Sequence, residues 1–242
     1  MNRQIHIYKT RAEFVEAATE LIAGIVGRAI EKNGRCTIAL AGGNTPREVY
    51  QKLAADPLQR RIAWRNLHLF WGDERLVPPD HPDSNFGMAR AAMLAQVPIP
   101  EANVHRIKGE LSPAQAAREY ATELRRVFQN QEIRFDLVCL GIGEDGHTAS
   151  LFPGTEAISE AIKPVAAVYV PQFDKWRVTL TLPVINRARE VVFMVAGKSK
   201  AQIVANILQV KQPETKWPAS MVQPKDGVLH WLLDAEAAAL MR

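Results

Sequence analysis

The chain has 242 residues, 47% hydrophobic and 23% charged, enough to bury a sizeable core as one α/β domain or two small ones. Its 30 Lys and Arg against 26 Asp and Glu leave a formal charge of +4 with no basic tract, which disfavours a nucleic-acid partner and suits a locally cationic pocket for a small anion. No apolar run approaches the roughly 18 to 20 residues that span a bilayer, and the opening MNRQIHIYKTRAEF lacks the apolar core of a signal peptide, so no membrane partner and a cytoplasmic location are expected.

Ile5 to Tyr8 reads as a short first strand. Thr10-Arg11-Ala12-Glu13 has the form of a capping box, and an amphipathic helix follows to about Lys32, closed by Asn33-Gly34. Cys36 to Ala41 is a strand that runs directly into Gly42-Gly43-Asn44-Thr45-Pro46, with Thr45 as the expected N-cap, Pro46 at the first helical position and Glu48 completing a second capping box. A helix starting immediately above a strand end points free N–H groups and its positive end at one spot, which suits an anion. A strand-to-helix turn of purely structural purpose explains the two glycines about as well, and neither a P-loop nor G-x-G-x-x-G is present.

Leu67 to Trp71 is the next strand, exiting into Gly72-Asp73-Glu74-Arg75, after which three prolines impose an irregular loop through Pro82. Ser84 to Ala95 reads as a helix and Val104 to Ile107 as a short strand. Ser112-Pro113-Ala114-Gln115 repeats the capping logic and opens a helix to about Gln129.

Phe135 to Leu140 is apolar without alternation, as in a central parallel strand covered on both faces. It breaks into Gly141, Gly143 and Gly146 around Glu144, Asp145 and His147, at a carboxyl strand end where open α/β sheets place ligands. Further strands are expected at Val165 to Val170, Arg177 to Thr181, Val191 to Ala196 and Val228 to Leu233. Pro171 to Lys175 reads as a turn, Ser199 to Leu208 as a helix with Lys200 in its first turn, and Asp234 to Met241 as a short closing helix. The alternation favours a largely parallel sheet with helices on both faces, and no low-complexity linker divides the chain, so one domain over residues 1–242 is expected.

The six histidines show no H-x-x-x-H spacing, and Cys36 and Cys139 are isolated in predicted strands, as buried thiols of a reducing compartment. No metal and no other cofactor are therefore expected. G-x-S-x-G is missing, with Ser150 standing in H-T-A-S. Histidine remains as the side chain of the central loop able to exchange protons readily near neutral pH, and the order of residues leaves open whether Glu144 or Asp145 orients it.

GGNTP at Gly42–Pro46, GDERLVPPDHPDSN at Gly72–Asn85, GIGEDGHTASLFPG at Gly141–Gly154, RVTLT at Arg177–Thr181 and GKSK at Gly197–Lys200 resemble the 6-phosphogluconolactonase family over nearly the whole chain. More distantly the chain is similar to the glucosamine-6-phosphate deaminases, but Ser150-Leu151-Phe152-Pro153 stands where their loop continues toward an aromatic-Asn-Glu-Pro segment. The resemblance implies a three-layer α/β/α, Rossmann-like fold and a metal-free, often monomeric cytoplasmic enzyme of the pentose phosphate pathway. Its substrate would be 6-phospho-D-glucono-1,5-lactone, hydrolysed to 6-phosphogluconate. By the same resemblance His147 is the base that activates water, with Asp145 and Arg75 as catalytic partners. Gly42, Gly43, Asn44 and Thr45, with Arg177 and Lys200, would bind the phosphate. Asp73 matches a deaminase acid/base and here would orient substrate hydroxyls. Two rival readings are a deaminase or isomerase using Asp73 as proton shuttle, and a sugar-phosphate sensor with no need for the histidine loop.

Overall fold

A computed structural model of the chain describes residues 2–209, 212 and 214–241. Six strands form one parallel sheet: β1 (Asn2–Tyr8), β2 (Cys36–Leu40), β3 (Leu67–Trp71), β5 (Leu137–Leu140), β8 (Glu190–Val195) and β9 (Val228–Asp234). Their order is β1-β9-β8-β5-β2-β3, and a separate antiparallel sheet contains β4 (Asp73–Arg75), β7 (Lys175–Leu180) and β6 (Val165–Val170). The helices are α1 (Arg11–Asn33), α2 (Asn44–Leu53), α3 (Leu58–Arg61), α4 (Asn85–Ala92), α5 (Pro113–Val127), α6 (Leu182–Ile185) and α7 (Ala201–Gln209).

Every residue of β2 and β5, and all but the first of β8, is buried, which requires cover on both faces and explains their unbroken apolar runs. Helix α1 supplies part of that cover through Phe14, Ala18, Ile22 and Ile25, spaced four, four and three residues apart on one stripe. Burying each of its larger side chains contributes about 1.5 to 3 kcal/mol. The Thr10 hydroxyl accepts from Glu13 N at 3.1 Å, and Gly34 ends the helix in the left-handed region at φ 72°, donating to Ile30 O.

Chain order runs outward from β2 to β3 and then returns to place β5 on the other side of β2. The crevice between the carboxyl ends of β2 and β5 is thus a topological switch point, where such sheets bind ligands. Two buried tyrosines fix the strand ends around it. The Tyr50 hydroxyl bonds both N and O of Ala41 at 2.9 and 3.0 Å, and the Tyr120 hydroxyl bonds both N and O of Trp71 at 2.9 and 2.8 Å.

Several expectations are corrected. Helix α2 starts at Asn44 with Gly43 as its N-cap. Thr45 therefore lies inside the helix and Glu48 bonds Arg11, so the second capping box does not form. Ser112 likewise makes no cap bond to backbone; its hydroxyl donates to the Gln115 side chain. Val104 makes only an isolated bridge to Leu69, and His105 N donates to Leu69 O, so 104–107 shields the edge of β3 without becoming a strand. The residues after Asp234 form turns instead of a helix, although the Asp234 carboxylate accepts from Ala237 N at 2.8 Å as an N-cap would; it also accepts from Gly197 N at 3.0 Å. The strands at Val165–Val170 and Arg177–Thr181, with β4, leave the parallel sheet: Gly72 N donates to Leu40 O while Gly72 O accepts from Leu180 N, so this residue hands the chain from one sheet to the other.

Candidate active site

A cleft of about 760 Å³ opens over the carboxyl ends of β2, β5 and β8. Gly42, Gly43, Asn44, Thr45, Asp73, Arg75, His147, Arg177 and Lys200 all line it, and Asp145 stands behind His147. Residues from five separate motifs thus meet in one place.

Loop 141–151 is closed on itself. Gly143 N donates to His147 O at 2.9 Å, Gly146 N to Gly143 O at 3.0 Å, and the Thr148 hydroxyl to Gly141 O at 2.8 Å. Gly146 has φ +83°, and a Cβ there would lie 2.9 Å from Trp217, while Ala219 N donates to Gly146 O, so the 217–219 segment braces the turn from behind. Inside the loop Asp145 Oδ1 accepts from His147 Nδ1 at 2.6 Å and from His147 N at 3.1 Å. Burial opposes the Asp145 charge, but the His147 hydrogen bond, its coulombic attraction and the backbone bond outweigh it, and the carboxyl is held well below the usual carboxylate range. An ionised carboxylate only accepts, so neutral His147 carries its proton on Nδ1 and presents the Nε2 lone pair. Glu144 is exposed and Asp145 makes the contact, which decides between the two candidates for orienting the imidazole.

Phe152 stacks on the imidazole with ring centroids 4.0 Å apart. Its ring also lies 5.1 Å from the Arg177 guanidinium, and Phe173 lies 4.9 Å from the same group. Cross-strand register explains the cations: Arg75 pairs Arg177 and Asp73 pairs Thr179, so period two puts Asp73, Arg75, Arg177 and Thr179 on one face of the small sheet. Asp73 sits between groups that fix it, with Ser150 donating to Oδ2 at 2.6 Å, Asn85 to Oδ1 at 3.2 Å and Arg177 Nη1 at 3.9 Å. Arg177 is buried with its Nε unpaired, and burial pushes its proton affinity down, with Asp73 opposing that and Arg75 adding to it. A half-satisfied cation of this kind favours an incoming anion. Arg75 Nη1 donates to Asp83 O at 2.8 Å.

Glu74 points to the opposite face and is buried. Its carboxylate accepts from Arg75 N, Asn85 N, Phe86 N and the Ser84 hydroxyl, anchoring α4, yet burial pushes it up to about 7 against those donors. Asn85 then packs over Gly42, where a Cβ would fall 1.9 Å from Asn85 Oδ1, so the glycine is needed for the close approach of loop and helix.

The sequence did not mark Arg11, Asn85, Phe152 or Gln172 as site residues. Arg11 lines the cleft from the start of α1, with its charge taken up by Glu48 at 2.9 and 3.0 Å. Asn85 closes a motif that was recognised, and no sequence signal points to Gln172. Among the described residues no group of three or more His, Cys, Asp or Glu could hold a metal ion. Cys36 and Cys139 are free and buried, and burial pushes the Cys139 thiol up to about 12.

A family model described as glucosamine-6-phosphate isomerases/6-phosphogluconolactonase matches residues 9–231. A 6-phosphogluconolactonase of Synechocystis sp. is 42% identical over 247 residues, covering 100% of both chains. Another, of Rattus norvegicus, is 39% identical over 98% of this chain and 93% of its own. Among solved structures, 6-phosphogluconolactonase from Trypanosoma cruzi matches with a TM-score of 0.87 at 32% identity, covering 99% of this chain and 97% of that one.

Proposed function

Because this chain belongs to the glucosamine-6-phosphate isomerase/6-phosphogluconolactonase family, among its 6-phosphogluconolactonases, we propose that it hydrolyses 6-phospho-D-glucono-1,5-lactone to 6-phosphogluconate. The observation that carries the chemistry is the His147–Asp145 pair opening onto a cleft that Arg177 and Lys200 also line. His147 Nε2 removes a proton from water, and the water oxygen bonds to the lactone carbonyl carbon. Backbone N–H groups or Arg75 take the charge that moves onto the carbonyl oxygen. Collapse breaks the bond to the ring oxygen, which receives the proton held by His147 and leaves as the C5 hydroxyl.

The 6-phosphate is held by the Gly42–Thr45 turn at the start of α2 with Arg177 and Lys200. Asp73, already fixed by Ser150 and Asn85, keeps Arg177 in place and offers its remaining acceptor positions to substrate hydroxyls. In this reading residues 1–242 act as one catalytic domain in the cytoplasm. Every named group comes from one chain, so a monomer suffices, and no cofactor enters the reaction.

Generating the lactone in place and following its loss against the uncatalysed rate tests the assignment, with glucosamine-6-phosphate assayed for ammonia in parallel. Rapid lactone loss without ammonia is expected, with kcat/KM reduced roughly 10²-fold or more in His147→Ala. Ammonia release would select the deaminase instead. Saturable binding of both sugars without turnover would leave a sensor.

A further inference from the structure

The tip of the β6–β7 hairpin reaches the imidazole pair from a distance in sequence, and it does so by two routes. Gln172 Nε2 donates to Asp145 Oδ2 at 3.3 Å, the oxygen that His147 does not use. Since the carboxylate only accepts, the amide nitrogen is the end that faces it. Beside it Phe173 meets Phe152 edge-on at 5.8 Å, and Phe152 is the ring stacked on His147.

Gln172 sits on a braced turn. Pro171–Phe173 form a 3₁₀ turn, Asp174 closes it in the left-handed region at φ 48° with its N donating to Pro171 O at 3.1 Å, and the Tyr169 hydroxyl donates to the Asp174 carboxylate. Six paired positions between β6 and β7 fix the register beneath it. Gln172 is itself exposed, so the bond gains its significance from the braced turn that carries the donor and from the group that accepts it. Here the acceptor is the group that aims the imidazole, and its terminal torsion is intrinsically soft.

We infer that Gln172 is a positioning residue: by holding Asp145 Oδ2 it fixes the plane of the carboxylate, and through it the direction in which His147 Nε2 faces the cleft. The inference rests on the proposed role of His147 and extends it to a residue whose sequence context carries no catalytic signal. The hairpin thereby contributes to both ends of the site, holding the imidazole pair through Gln172 and flanking Arg177 through Phe173.

Two variants separate the hydrogen bond from packing. Gln172→Ala removes the side chain, and Gln172→Met keeps most of its length and bulk without a donor. Both are expected to lower kcat on the phosphorylated lactone about three- to tenfold, the size of one modest hydrogen bond, with KM changed less than twofold. A second readout needs no turnover: the proton NMR signal of His147 Nδ1–H, assigned by its loss in His147→Gln, should shift upfield and exchange faster with solvent in both variants. Wild-type behaviour of Gln172→Met in both measurements, or an unchanged Nδ1–H signal in both variants, overturns the inference. If wild type itself fails to hydrolyse the lactone, the functional proposal falls while the NMR signal still decides the role of Gln172.

Discussion

Gly143 offers a way to disable the imidazole pair without touching any group that does chemistry. A Cβ at this position would lie 2.0 Å from His147 Nδ1, 2.2 Å from Cε1 and 2.5 Å from Asp145 Oδ1. Ordinary contact begins at 3.4 Å, so the ring must retreat by about 1.4 Å, a displacement comparable to those that cost roughly 10²-fold in rate. Phe152, stacked at 4.0 Å, restricts where the ring can go. Gly143 is outside the left-handed region, so alanine fits its backbone, and lost backbone freedom in the unfolded chain offsets part of any packing cost. Gly143→Ala should therefore fold with a Tm within a few degrees of wild type while kcat/KM falls roughly 10²-fold, about 2.7 kcal/mol of transition-state stabilisation. The assay is lactone loss with background subtracted, beside thermal unfolding of the same preparation. A folded Gly143→Ala variant with kcat/KM within threefold of wild type would refute the reasoning.

The other predictions concern the phosphate site, metals and pH. Lys200→Ala and Arg177→Ala should weaken the phosphorylated lactone far more than the unphosphorylated one; equal losses on both would show that these cations serve another purpose. Activity should survive extensive chelation, with no stoichiometric metal on elemental analysis, since the described residues offer no three-ligand cluster. A strict need for a divalent ion would redirect attention to Asp73, Glu74, Glu144 and Asp145. Glu74 should make stability fall with rising pH. Burial raises it from 4.5 to about 7, so its contribution is full below about 4.5 and is lost as pH rises through 7, on the order of 3 kcal/mol in all. His68, held at about 4 chiefly by burial, slopes the other way, so the readout is the difference between wild type and Glu74→Gln across pH 4.5 to 8. Parallel curves for the two proteins would exclude this role for Glu74.

Much of the site's division of labour follows from one residue of backbone. Gly72 ends pairing with β2 and begins pairing with β7, which turns the Asp73-Glu74-Arg75 triplet across the end of the parallel sheet. Period two then sends Asp73 and Arg75 into the cleft and Glu74 behind it, where it anchors α4 and, through Asn85, returns to hold Asp73. A triplet of adjacent charges becomes two cleft residues and one internal support.

The amino-acid sequence by itself determined the parallel core, because continuous apolar runs such as Leu137–Leu140 are stable only between covered faces, and glycines at their carboxyl ends admit the loops that ligands need. It also singled out residues that the fold gathers around one cleft, since those types cluster in short local motifs. The switch point between β2 and β5, the departure of β4, β6 and β7 into their own sheet, and the choice of Asp145 over Glu144 were decided only by tertiary structure. Adjacent residues have nearly equal local preferences, and which carboxylate reaches the imidazole depends on how a closed loop turns. One local capping rule failed where a long-range partner competed: Arg11, from another helix, bonds both Thr45 and Glu48. Gln172 reaches Asp145 for the same reason, because a contact 27 positions apart has no periodicity to announce it and exists only once the β6–β7 register is fixed.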